Sequence, residues 1–282
     1  MLRFQRPLFS LILAAVAFAA GFGFHSQVSA GDARVNRILE TKEPLVIGHR
    51  GACAFAPENT LPSFQLAIDQ KADLVELDYY LSSDKVAFCI HDKTYDRTTD
   101  ANKLWNEKKT EIAAKNWSDV AALDAGSWFD AKFAGVKVPT LDQAIETIQN
   151  GSVTLIEHKQ GDADSLVKLL KERDWTEKLV VQSFNWDFVA RCRELEPTLA
   201  IAALGSDKLT AERIAPIVDK VDVIAWNYKF VDKAAAAMVH KHGKKLFVYT
   251  VNDPKQAKEL VDLGVDGIIT DRPAEIGAAI RK

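Results

Sequence analysis

The sequence predicts a β/α barrel, and three observations lead there. From Leu45 onward, short runs rich in β-branched and aromatic residues alternate with amphipathic stretches, the rhythm of parallel strands joined by helices. Nine such runs are present, and the spacing of one pair takes one run out of the parallel set, leaving eight. Eight parallel strands close a barrel, which routinely uses about 250 residues, and the chain has 282.

The expected strands occupy residues 45–49, 74–80, 86–90, 153–157, 179–184, 199–204, 221–226, 246–251 and 265–270. Only residues 81–85 separate the second from the third. A parallel crossover needs about a dozen residues, so this pair forms an antiparallel hairpin turning near Ser83 and Asp84. Positions facing each other across it sum to roughly 167–169, which sets His91 beside Asp78.

Helices are expected at 62–70, with Thr60 as cap, and at 141–149, 164–171, 186–195, 233–242 and 254–263. The polar, Trp-bearing stretch 93–139 lies between the hairpin and the next helix and reads as an excursion over the barrel mouth. No repeat, low-complexity tract or Gly/Ser linker marks a second domain, so residues 31–282 form one barrel domain.

Arg3 and Arg6 precede an uncharged run from Leu8 to Phe24, and Val28-Ser29-Ala30 follows, the plan of a secretory signal peptide cleaved after Ala30. The competing reading is a retained anchor, since the run approaches the roughly 20 residues that span a bilayer. Its Ala and Gly content favours cleavage, which places the mature protein in the periplasm or outside the cell with no stable membrane insertion. Cleavage removes two arginines and takes the net charge from −3 to −5, so there is no electrostatic case for nucleic acid. The three cysteines, Cys53, Cys89 and Cys192, exclude a disulfide framework and lack metal-binding spacing; Cys89 lies in an apolar run and reads as core.

In a barrel the active site forms at the C-terminal ends of the strands, and here those ends are rich in polar groups. The first strand ends in His49-Arg50-Gly51, the second carries Glu76 and Asp78, the hairpin returns to His91-Asp92, and the fourth run carries Glu157 and Lys159. Glu76 and Asp78 share one strand face by alternation, as do Glu157 and Lys159. Three carboxylates converging on a barrel interior need a cation, and all-oxygen ligation suits one Mg²⁺ or Ca²⁺. Arg50 and Lys159 beside them suit a small substrate bearing phosphate, and two histidines can move its protons. Each group also has a bland reading: a satisfied structural histidine, a rim ion pair, or a Glu157–Lys159 pair that neutralises itself. Convergence of five strand-end positions favours the functional one.

These residues, with Pro57-Glu58-Asn59-Thr60, Arg97-Thr98-Thr99, Pro139-Thr140-Leu141, Ile156-Glu157-His158-Lys159, Gln182-Ser183-Phe184, Tyr249-Thr250-Val251-Asn252 and Gly264 to Pro273, resemble the glycerophosphodiester phosphodiesterase family. The resemblance runs from Leu45 to Pro273 and implies a barrel like that of the phosphatidylinositol phosphodiesterases, cleaving glycerophosphodiesters to glycerol 3-phosphate and an alcohol. It implies Glu76, Asp78 and Glu157 as metal ligands and His49 and His91 as the acid/base pair, with His49 activating the glycerol 2-hydroxyl and His91 protonating the leaving alcohol.

The chain departs from the family's usual pattern in three places. Ala52-Cys53-Ala54-Phe55 makes a bulkier loop after Gly51, Tyr249 stands where Trp is common, and His158, turned away by alternation, reads as structural. Substrate-pocket candidates are Glu58, Phe184, Trp226 and Tyr249, although Phe184 and Trp226 could face the helices instead; Glu58 could orient Arg50, join the metal or stabilise the following helix. Two other functions fit the same barrel, a lysolipid-directed phospholipase D-like or lyase relative and a non-catalytic phosphate-ester binding protein. The first calls for apolar mouth loops, whereas the excursion carries Lys103, Glu107, Lys108 and Lys109; the second calls for a lost histidine or ligand, and none is lost.

Overall fold

The computed structural model describes Met1 and residues 30–281, so residues 2–29 of the leader lie outside the described residues, while the expected cleavage position after Ala30 falls at the first bond of a helix. All nine expected strands form: β1 (Leu45–Gly48), β2 (Leu74–Leu81), β3 (Ala87–Cys89), β4 (Val153–His158), β5 (Leu179–Ser183), β6 (Ala200–Gly205), β7 (Val223–Asn227), β8 (Lys245–Tyr249) and β9 (Gly267–Thr270). Eight are parallel neighbours around the ring, closed by β1 against both β9 and β2.

β2 is long enough to have two jobs. Its first residues, Leu74 and Val75, pair with β1, while Tyr79 to Leu81 pair antiparallel with β3. The hairpin register sets Tyr79 opposite Cys89, so Asp78 and His91 approach as the arithmetic of the turn requires. Lys85, at φ +68°, completes the turn.

Alternation sorts the core into two layers. Leu45, Ile47, Leu74, Leu155, Val180, Ala202 and Phe247 fill the barrel interior. Val46, Val75, Leu77, Ile156, Val181 and Val248 face outward to the helices. Continuing the inward set of β2 and β4 toward the mouth replaces Leu74 and Leu155 by Glu76, Asp78 and Glu157, each at most 9% exposed.

Helices return the chain between most strands. The helices at 141–149 and 186–195 match expectation to the residue, and the others fall within one or two positions of it. Asp162, Asn185, Asp232 and Asp253 each cap their helix by accepting a backbone N–H, and Thr140 forms a capping box with Gln143. Thr60 occupies the cap position but corrects the expected role: its hydroxyl donates to the Pro57 carbonyl at 2.6 Å and holds the preceding turn.

Two further features depart from expectation. The helix Ala30–Glu40 buries Val35 and Ile38 against the interior layer, and Arg34 donates to the carbonyls of Gln149 and Ser152, closing the base of the barrel. The excursion is less polar than its composition suggests. Tyr95, Ala101, Ile112, Val120, Leu123 and Val138 form a small core of their own on Tyr80, Phe88 and Ile90 of the hairpin.

Candidate active site

The turn after β1 is built around unusual backbone. Arg50 sits at φ +51° and Gly51 at φ +90°, and a side chain at 51 would meet Ser63 at 2.3–2.6 Å, so only glycine fits. This conformation aims the Arg50 backbone N–H at Glu76 Oε2, 2.8 Å away, while its guanidinium donates to Glu58 at 2.9 Å and lies 3.4 Å from Asp78. Asn59, also left-handed at φ +56°, donates to Asp78 Oδ2 at 2.9 Å and accepts from the Asp78 backbone at 3.0 Å.

Glu76, Asp78 and Glu157 offer oxygens within 4.8 Å of one another. Lys159 lies 3.1 Å from Asp78 and also donates to Glu157. Burial opposes ionisation of Asp78, but Lys159 and Arg50 outweigh it and hold the carboxyl below its usual range. Burial, then the charge of Asp78, pushes Glu157 up to about 7 and Glu76 well above the carboxylate range.

Glu76 Oε1 is buried with no hydrogen-bond partner. Among the described residues, three buried carboxylates face two cationic side chains, Arg50 and Lys159, and an oxygen without a donor is what a cation would satisfy. The set therefore fits a hard, oxygen-ligated ion held by Glu76, Asp78 and Glu157.

His49 follows β1 and His91 follows β3, and the two histidines are anchored alike. His49 Nδ1 lies 2.7 Å from Asp271 Oδ1, whose other oxygen accepts from Asn252 at 2.5 Å. His91 Nδ1 lies 2.8 Å from Asp92. A carboxylate can only accept, so each pair places the imidazole proton on Nδ1 and leaves Nε2 free. Arg97 donates to both oxygens of Asp92 (2.6 and 2.9 Å) and both of Glu58 (2.7 and 2.8 Å). One clamp thus joins the His91 and Arg50 loops. Burial lowers the His91 pKa.

Beside His91 and Lys159 opens a cavity of about 520 Å³, also lined by Tyr80, Lys93, Phe184 and Asn185. Phe184 is 50% exposed and meets the Tyr249 ring edge-on at 6.2 Å, while the Tyr249 hydroxyl donates to the Gly205 carbonyl. Both rings therefore stand at the mouth.

Trp226 does not. It is fully buried in the outer layer, covers Gly205, packs near Trp186 and donates to the Asp207 carbonyl, which corrects its assignment to the substrate pocket. Its neighbours Val223 and Ala225 take the inward positions of β7. Glu58 is resolved as the partner of Arg50 and Arg97 and stands outside the carboxylate cluster. His158 is structural, stacked on Phe188 at 3.5 Å and bonded to the Gly161 carbonyl.

Six residues of the site carry roles that sequence reasoning did not give them. Asp271 anchors His49, Asn252 anchors Asp271, Asp92 anchors His91, Arg97 clamps Asp92 and Glu58, Asn59 holds Asp78, and Cys53 donates to Asp271 at 3.0 Å. Asp271 follows a strand end directly, a position that could have marked it.

Comparison with known proteins gives a consistent picture. Residues 49–275 match the glycerophosphoryl diester phosphodiesterase family. A glycerophosphodiester phosphodiesterase of Caldanaerobacter subterraneus is 32% identical over 246 residues, covering 84% of this chain and 98% of the relative. One from Bacillus subtilis is 29% identical over 285 residues, covering 93% and 95%. Among solved structures, a phosphodiesterase of Oleispira antarctica in complex with the product sn-glycerol-3-phosphate superimposes with a TM-score of 0.76 at 30% identity, covering 85% of this chain and 98% of that one.

Proposed function

This chain belongs to the glycerophosphoryl diester phosphodiesterase family, and we propose that it hydrolyses glycerophosphodiesters to glycerol 3-phosphate and an alcohol, with His49 and His91 as acid/base pair and a divalent cation on Glu76, Asp78 and Glu157. The observation that carries this reading is a buried carboxylate cluster at a barrel mouth that also holds two histidines, each fixed through Nδ1 by an aspartate. Mg²⁺ or Ca²⁺ suits those oxygen donors, and when bound would supply Lewis-acid stabilisation of charge on the phosphoryl oxygens.

His49 Nε2 takes the proton of the glycerol 2-hydroxyl as that oxygen attacks phosphorus. His91, protonated on Nε2, gives its proton to the departing alcohol oxygen as the P–O bond breaks. The product of this step is a cyclic glycerol phosphate. His91 then takes a proton from the water that opens the ring, and His49 returns its proton to the 2-oxygen. Arg50 and Lys159 hold the phosphoryl oxygens, with Glu58 and Arg97 keeping Arg50 in place. Phe184 and Tyr249 offer ring faces to the apolar edge of glycerol.

The Arg-led apolar segment before residue 31 supports export, to the periplasm or beyond. Among the described residues no helix is long and apolar enough to cross a membrane. Quenched-flow analysis of glycerophosphocholine turnover tests the order of steps. A transient 1,2-cyclic glycerol phosphate supports it; solvent oxygen entering the first phosphorylated product, with no cyclic species, overturns it.

A further inference from the structure

Next to the carboxylate cluster the barrel mouth assembles a second donor set of different chemistry. A ring nitrogen of His49, Cys53 Sγ and an Asp271 oxygen lie within 4.8 Å of one another, and Nδ1 is the nitrogen that meets Asp271. The set is partly open: the His49 and Asp271 side chains are 20% and 26% exposed, and Cys53 is a free thiol of intermediate burial. Sulfur, imidazole nitrogen and a single carboxylate prefer thiophilic ions, whereas three carboxylates prefer hard ones.

Protons now bridge this set, at 2.7 Å between Nδ1 and Oδ1 and 3.0 Å between Sγ and Oδ1. Tetrahedral zinc bonds of about 2.0–2.3 Å require donors roughly 3.3–3.5 Å apart. Replacing the two protons by one ion asks each pair to open by only about half an ångström. Asn252 already fixes the other oxygen of Asp271, the kind of outer hydrogen bond that orients a metal ligand.

We propose that His49, Cys53 and Asp271 form a second cation site, selective for divalent ions of the zinc class, and that an ion bound there blocks the reaction. Binding releases the Cys53 thiol proton to solvent as the S–metal bond forms. Coordination through Nδ1 moves the single proton of the neutral imidazole to Nε2, which then has no lone pair with which to accept one. The blocking step rests on His49 acting as the base; the binding step does not.

Both steps are tested with the carboxylate site kept saturated by excess Mg²⁺ or Ca²⁺. Titration of the full protein with Co²⁺ should produce a near-ultraviolet thiolate-to-cobalt charge-transfer band that Zn²⁺ bleaches and that Cys53→Ser lacks; Cys89 and Cys192 are buried and remain in both proteins. The Zn²⁺ concentration for half-inhibition, with each protein referred to its own zinc-free rate, should rise about tenfold or more in Cys53→Ser, since even outer partners of a metal contribute that much. Absence of the band in the unaltered protein overturns the site without need of any variant, and equal inhibition of both proteins overturns it by assigning the ion to the carboxylates. A band without inhibition overturns the block and counts against His49 as base, a failure distinct from that of the site.

Discussion

Each histidine exposes Nε2 because an aspartate occupies Nδ1, and this fixes what single substitutions should do. Asp271→Asn can present an amide N–H to Nδ1 and so favour the tautomer protonated on Nε2; kcat should fall by up to about 10⁴-fold with KM little changed. An unchanged kcat would show that the His49–Asp271 contact does not set the tautomer. His91→Ala should lose roughly 10²–10⁴-fold on an alkyl diester and far less on a p-nitrophenyl diester, whose leaving group needs no proton. Equal losses on both would remove His91 from the role of acid. The carboxylates add a pH dependence. Burial, then Asp78, pushes Glu157 up to about 7, so the cation-free native protein holds protons that the unfolded chain has released above its ordinary pKa of about 4.3. Across that window its stability falls as pH rises, and a cation, which displaces those protons, should raise the melting temperature more at about pH 8 than at about pH 5. An equal rise at both would contradict the assignment.

At the scale of elements, the site depends on loops that Arg97 ties together. Arg97→Gln frees Asp92 and Glu58 and should lower kcat roughly ten- to hundredfold, the cost seen when outer partners of a reactive group are removed. Arg97→Lys should recover only part, since an ammonium cannot pair bidentately with two carboxylates. Full rescue by lysine would reduce the clamp to simple charge. Helix Ala30–Glu40 acts at the other end of the barrel. Ile38 is fully buried beneath the interior layer, so Ile38→Ala should cost about 2–5 kcal/mol in denaturant unfolding while leaving turnover per folded molecule intact. That helix was illegible in the sequence because it turns few apolar side chains inward and sits beside a segment with the features of a leader. Trp226 was ambiguous for a different reason: the run read as a strand ends at 226 and is apolar on both faces, and Asn227, which continues the inward row of Val223 and Ala225, falls just beyond it.

At the scale of the whole molecule, a strict two-residue period made the carboxylate cluster readable, since Glu76, Asp78 and Glu157 continue inward rows that begin with Leu74 and Leu155. The hairpin turn likewise fixed His91 near Asp78 through register alone. Asp271 could not be assigned so easily. Its partnership with His49 exists only once β9 closes the ring against β1, a contact spanning 222 residues. The core of the excursion was hidden because its apolar residues follow no single period and gather only on the back of the hairpin. Local pattern thus located the carboxylate cluster, while closure of the barrel supplied the aspartate that anchors His49.

The most direct test is release of glycerol 3-phosphate from glycerophosphocholine by purified protein, before and after EDTA treatment and readdition of Mg²⁺ or Ca²⁺, alongside His49→Ala. Release that stops with EDTA, returns with the ion and is abolished in a folded His49→Ala protein is expected. Release that survives EDTA, or that His49→Ala retains undiminished, would contradict a cation-dependent reaction driven by this histidine.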